Sequence, residues 1–235
     1  MAHTVKKAAS KNPRSMPKEQ QQKNMKRLVW ITCACIAAII AVIVITQPSS
    51  DPVPFAYEKL PVLGKADAPV KIVEFGDYQC PACQLFNQQI KPQLMQDYID
   101  KGLVSFYFMN DAFIGPDSYT AAFAAQSVFH QNNEAFWKYL DAVYQNQGEE
   151  NTGWVKPEFL VELARKENLP IDYDKLQQEI QEKTHADEVD EHSAYAKKIG
   201  VTSTPTLFIN GQKFENVFDY NALKTAIDQA VKGGS

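Results

Sequence analysis

The sequence predicts an α/β domain split by a block of helices and preceded by a single membrane-spanning helix. Three observations carry this. "LVWITCACIAAIIAVIVI", residues 28–45, is uncharged throughout. Strand-like runs occur only in two stretches, 55–110 and 204–218, and the roughly eighty residues between 117 and 200 read as helices. "FGDYQCPACQLF", residues 75–86, places two cysteines at C-x-x-C spacing where the first strand gives way to a helix.

The N-terminal elements follow from charge and apolar length. Residues 1–27 hold eight Lys/Arg against Glu19 as the one acid, leaving 16 basic and 27 acidic residues for the remainder. The basic arm is nearly free of apolar residues and is expected to be disordered. The acidic body argues against nucleic acid as a partner, because phosphate binding needs a basic surface. At 1.5 Å per residue the uncharged run spans roughly 27 Å, close to a hydrocarbon core of ~30 Å. Lys26 and Arg27 at its start keep the arm cytoplasmic by the positive-inside rule and place the rest outside. "ITQPSSDP" carries no small-residue cleavage pattern, so an uncleaved anchor is preferred to a signal peptide. Cys33 and Cys35 are read as small residues within this helix, since the residues before each fit a lipidation site poorly.

The expected layout is a cytoplasmic arm (1–27), the anchor (28–46) and a Pro/Ser linker (47–57). The first part of the α/β domain follows (58–112), then the helical insert (113–200) and the second part (201–235). Residues 55–69 read as a short edge strand and turn. "VKIVEF" (70–75) is the apolar run of a buried parallel strand. After the cysteines, Phe86, Ile90, Leu94 and Tyr98 recur every four residues, and Pro92 should kink or split their helix. "GLVSFYFMN" (102–110) alternates as a second strand, completing a right-handed βαβ unit. In the insert, Asp117, Asn133 and Asp172 are candidate caps, Pro157 opens a first turn and Gly200 closes the last helix. Phe123, Phe129, Phe136 and Trp137 are expected to be mostly core, with a peptide groove lined by a few of them as the alternative. "TPTLFING" and "KFENVF" (213–218) form a hairpin about Asn210–Gly211, and Asp219 caps a final helix.

The cysteine pair has three readings. Structural zinc needs four ligands, but the other two cysteines lie in the anchor, and His3, His130, His185 and His192 show no ligand spacing. The histidines are read as surface or boundary packing. A staple across two residues removes little chain entropy. Redox catalysis explains the placement best. Cys80 would sit at a helix N-terminus, where free N–H groups and the macrodipole stabilise a thiolate. Pro81 suits the first turn, and Cys83, more buried, could attack the Cys80 sulfur. Glu74 in the apolar run is a candidate proton relay for Cys83, with a solvent-facing strand edge as the alternative. Asp77 is read as a solvated loop residue.

"EFGDYQCPAC", followed over a hundred residues later by "GVTSTPTLFING", resembles the DsbA family of thiol–disulfide oxidoreductases, and within it the membrane-anchored BdbD-like members. The similarity covers roughly residues 58–232. It implies a thioredoxin-like fold with an inserted all-helical domain. It also implies a cis proline at Pro205 facing the cysteines, Thr204 and Pro205 pairing with an extended substrate alongside Pro81 and Ala82, and an acid beneath the site at Glu74. The implied activity is oxidation of reduced exported proteins through a Cys80–Cys83 disulfide, with no required cofactor. Reoxidation would come from a membrane quinone reductase of the DsbB/BdbC type. The Pro-Ala dipeptide departs from the Pro-His of the best-known periplasmic oxidant and removes one contribution to the Cys80 thiolate. BdbD-like relatives can carry a structural calcium. Asp111, Glu188 and Asp190 are available acids, but no calcium-loop pattern is present and no ligands are assigned. The rival functions are a reductase or isomerase on the same scaffold, and a membrane-tethered chaperone or adaptor whose cysteines are only a staple.

Overall fold

The computed structural model describes residues 51–233 continuously, together with Lys23, Met25, Lys26, 28–33, Cys35 and Ile36, which are helical. Most of the expected arm and of the expected anchor lies outside the described residues; Lys23, Met25 and Lys26, in the part expected to be disordered, are helical. Among the described residues no helix is long and apolar enough to cross a membrane.

Residues 51–233 build a five-stranded sheet in the order β1-β3-β2-β4-β5. The strands are β1 (Val62–Leu63), β2 (Val70–Gly76), β3 (Val104–Asn110), β4 (Thr206–Ile209) and β5 (Gln212–Phe214). β2 and β3 are parallel, with Val70 opposite Val104 and Gly76 opposite Asn110. The other pairings, β1 to β3, β2 to β4 and β4 to β5, are antiparallel.

β3 is buried along its whole length. The period of two is still present, because it sorts residues between two cores. Val104, Phe106 and Phe108 join Val70 and Ile72 in the larger core. Tyr107 and Met109 join Val73, Phe75 and Phe208 in a smaller one, closed by Phe55, Tyr57 and Tyr195. Chain from the linker and an insert helix therefore cover the face that local pattern leaves open.

The helix after the cysteines, α1, is a chain of short segments. It is α-helical over Pro81–Leu85, widens into a π turn at Phe86–Ile90, returns to α at Lys91–Leu94 and ends in a second π turn at Met95–Ile99. Pro92 has no N–H to donate, and the widened turn just before it is how the helix passes the ring. Phe86, Ile90, Leu94 and Tyr98 are all buried, as their spacing predicts.

The insert comprises α2 (Pro116–Gln131), α3 (Asn133–Gln145), α4 (Pro157–Lys166), α5 (Tyr173–Glu182) and α6 (Ala186–Lys198). Two expected caps shift by a residue or two. Gly115 and Pro116 open α2, leaving Asp117 in its first turn. Asn132 rather than Asn133 caps α3, accepting from the N–H groups of Glu134 and Ala135. Asn133 instead clamps the edge strand: its amide accepts from Val62 N–H and donates to Val62 C=O, both at 2.8 Å. Asp172 caps α5 and Pro157 opens α4 as expected. Gly200 follows α6 at φ 78°, a left-handed turn that suits glycine. Asn210 (φ 48°) and Gly211 (φ 82°) make the hairpin turn. β5 is shorter than expected, and α7 (Tyr220–Gly233) begins behind Asp219, whose carboxylate accepts from Ala222 N–H.

Candidate active site

β2 delivers the chain to the cysteines through a loop ending at Cys80, the N-cap of α1, with Pro81 at the first helical position. Both cysteines are free thiols. Cys80 keeps 8% of its surface open and Cys83 none, so the expected exposed thiol is nearly covered, a rim position rather than an open one. The cover comes from the loop before β4. The Thr204–Pro205 bond is cis, and the Cys80 thiol donates to the Thr204 carbonyl at 3.4 Å. The Thr204 hydroxyl is buried beside the two cysteine sulfurs.

The two thiols are driven apart in acidity. Hydrogen bonding from the Cys83 thiol is the largest effect lowering the Cys80 pKa, to about 6. Burial opposes it, and the Thr204 hydroxyl and the N–H groups of Cys83 and Ala82 add to it. These N–H groups are the unpaired donors of a helix start. Burial, then the Cys80 thiol and Glu74, push the Cys83 pKa well upward. One sulfur is therefore a stable thiolate and its neighbour a held proton.

Glu74 does not reach solvent. It is 1% exposed, one carboxylate oxygen has no partner, and burial raises its pKa to about 8 against the pull of Lys91. Lys91, also buried, was not anticipated. Its ammonium pairs with Asp141 on α3 and lies 5.6 Å from the centre of the Trp137 ring. Asn87 donates to the same Asp141 oxygen at 2.8 Å. No local signal marks Lys91 and Asp141, which are brought together by the packing of α3 on α1.

Asp77 requires a correction. It is fully buried, not solvated. One oxygen accepts from Gln79 N–H (2.8 Å) and Ser118 Oγ (2.6 Å), the other from the N–H groups of Phe113 (3.0 Å) and Ile114 (3.1 Å). Four donors hold this carboxylate in the interior, which no property of the loop sequence announces. The insert also pins the loop backbone. Gln147 donates to the carbonyls of Tyr78 and Cys80, and Tyr144 to that of Asp77. Beside the site, Phe113 (56%) and Leu85 (40%) expose apolar surface, which the sequence reading did not single out.

Of the insert aromatics, Phe123, Phe136 and Trp137 are buried and Phe129 partly so. The acids considered for calcium do not meet: among the described residues, the cluster able to hold a metal is His130, His185 and Glu188. That also corrects the reading of the histidines as unrelated. Its nitrogen donors do not suit calcium, which takes six to eight oxygens.

Comparison with known proteins agrees with this geometry. A family model described as "Thioredoxin" matches residues 57–229. The probable disulfide bond formation protein D of Bacillus cereus is 38% identical over 179 residues, 76% of this chain and 82% of that protein. The disulfide bond formation protein D of Bacillus subtilis is 38% identical over 173 residues, 74% of this chain and 78% of its own. The crystal structure of oxidised BdbD from Bacillus subtilis superposes with a TM-score of 0.73 at 34% identity, covering 79% of this chain and all of that one. A thioredoxin fold interrupted by helices, a C-x-x-C at a helix start facing a cis proline, and this similarity together place the chain in the DsbA/BdbD family of thiol–disulfide oxidoreductases.

Proposed function

We propose that this oxidoreductase works as a disulfide-forming oxidase on exported proteins, held at the outer face of the cell membrane by residues 28–46 with residues 1–27 in the cytoplasm. The acidity split between Cys80 and Cys83 carries the reading. Stabilising the Cys80 thiolate favours the dithiol, which makes the disulfide the better oxidant.

The cycle begins with a Cys80–Cys83 disulfide. A substrate thiolate attacks the Cys80 sulfur, and the electron pair of the S–S bond leaves on Cys83. Cys83 takes a proton, for which Glu74, protonated at neutral pH, is the donor. Thr204 and Pro205 line the approach to Cys80 with Pro81 and Ala82, and the Thr204 backbone is suited to pair with an extended substrate segment. A second substrate thiolate then attacks the substrate sulfur of the mixed disulfide, and Cys80 departs as a thiolate. Two electrons have passed from two substrate thiols to the cysteine pair, and a membrane quinone reductase of the DsbB/BdbC type would remove them.

The reduction potential separates this from the reductase reading. A value near about −120 mV supports the oxidase, and one near about −270 mV sinks it. Cys80→Ser in a refolding assay with a reduced, disulfide-requiring substrate addresses the adaptor reading: oxidation is expected to vanish while the fold survives.

A further inference from the structure

Far along the chain from the cysteines, three helices bring together a constellation that disulfide exchange does not use. His130 lies in the last turn of α2, Glu179 on α5, and His185 and Glu188 at the start of α6. The rings of His130 and His185 stack with centroids 4.6 Å apart and planes 12° from parallel, so the more open His130 ring has to turn out of the stack for both in-plane lone pairs to meet one ion. His130 Nε2 is 2.7 Å from Glu188 Oε2, and His185 Nδ1 is 3.8 Å from the same oxygen. One donor atom from each of His130, His185 and Glu188 lies within 4.8 Å of the others.

We propose that His130, His185 and Glu188 form a binding site for a divalent transition-metal ion of the zinc class. The donor spacing is the first argument. Two ligands of a tetrahedral zinc ion at about 2.05 Å stand about 3.3 Å apart, and the two measured separations, 2.7 and 3.8 Å, fall on either side of that value. The surroundings are the second. His185 Nε2 faces Glu179 Oε2 at 3.2 Å, and Ser127 Oγ donates to that same oxygen at 2.5 Å. With Nδ1 on the metal, Nε2–H donates to Glu179, the carboxylate–histidine–metal relay that fixes the tautomer of a ligating imidazole. Lys175 pairs with the other oxygen of Glu179 at 3.7 Å and leaves the relay oxygen to the ring and Ser127. The third argument is access. His130 is 44% open and His185 13%, so one ligand faces solvent and the other is held by packing. A fourth position is left to water. Two imidazoles and one carboxylate select zinc, copper or nickel over calcium and magnesium. The ion would tie the end of α2 to the junction of α5 and α6, bracing the insert.

The test uses the full chain in detergent, with the Cys80–Cys83 disulfide formed, remaining thiols alkylated and metals stripped. Zinc chloride is titrated against a chromophoric competitor, and melting is followed by circular dichroism. The site predicts one saturable equivalent that disappears, or weakens at least tenfold, in each of His130→Gln, His185→Gln and Glu188→Gln. At about a hundredfold excess over Kd the melting temperature should rise by about 5–10 °C. Cobalt should give visible absorption bands, and calcium should give no shift. Should His185→Gln fail to fold, His130→Gln at the more open ligand decides the matter. No saturable zinc, or zinc bound equally by wild type and the His130 variant, overturns the proposal.

Discussion

The reduced protein should titrate as an acidic thiol, and that one number fixes a calculable part of the potential. With its pKa lowered to about 6 from 9.0, Cys80 at pH 7 is about ten parts thiolate to one part thiol. An ordinary thiol at the same pH is about one part thiolate in a hundred. The reduced state therefore gains a factor of about eleven, or about 1.4 kcal/mol, which makes a two-electron couple about 30 mV more oxidising. Cys83 adds nothing at this pH, because its raised pKa keeps it protonated as any thiol would be. The sign carries into pH dependence. The thiolate's contribution to the reduced fold is complete above the ordinary value of 9.0 and is lost as pH falls through about 6. Below about pH 6, reduction takes up two protons and the potential should fall about 59 mV per pH unit; above it, one proton and about 30 mV. Thiolate ultraviolet absorbance gives the pKa, and equilibration with glutathione gives the potential. Cys83→Ala removes the largest stabilising donor, so Cys80 should move up toward the ordinary thiol range. Thr204→Val should move it less, in the same direction. A wild-type Cys80 that titrates above about 8, or one indifferent to Cys83→Ala, refutes the account.

Two further outcomes follow from buried carboxylates. Glu74 keeps its proton up to about pH 8 when folded and releases it near 4.5 when unfolded, so it withdraws stability as pH rises between those values. Relative to Glu74→Gln, wild type should lose about 1.4 kcal/mol per pH unit in urea melts across that window. The same variant should slow release of Cys83 from the mixed disulfide by about 10–100-fold, measured by quenched-flow trapping. Asp77→Ala would strip partners from the buried N–H group of Gln79 and the partly buried ones of Phe113 and Ile114. A loss of about 3–5 kcal/mol in urea unfolding is expected, and a loss under about 1 kcal/mol would contradict the hydrogen-bond accounting.

What could be read in advance depended on range. Cys80, Pro81 and Cys83 announce a helix start because capping is a matter of neighbours, and Asn210–Gly211 announces a turn because two positive φ angles need those residues. Thr204–Pro205 required likeness to a family, since an X-Pro bond carries no local mark of its isomer. Asp77 was misjudged because its partners lie 36 to 41 residues away at Phe113, Ile114 and Ser118. Lys91 and Asp141 are separated by 50 residues, and His130 and Glu188 by 58. A carboxylate in a loop looks solvated until a second element arrives with N–H groups. The period of β3 is legible in the sequence, but alternation reveals only that two faces differ and not that each will be covered.

The polar grip of Tyr144 and Gln147 on the loop before Cys80 limits how far this redox centre can be transplanted. A pared-down thioredoxin made by excising the five insert helices would keep both sulfurs and the proline, yet strip one side-chain donor from each of the carbonyls of Asp77, Tyr78 and Cys80. The helices are thus part of the electrode's mounting rather than ornament around it. Any graft of this centre onto a smaller host has to carry that tyrosine and glutamine along.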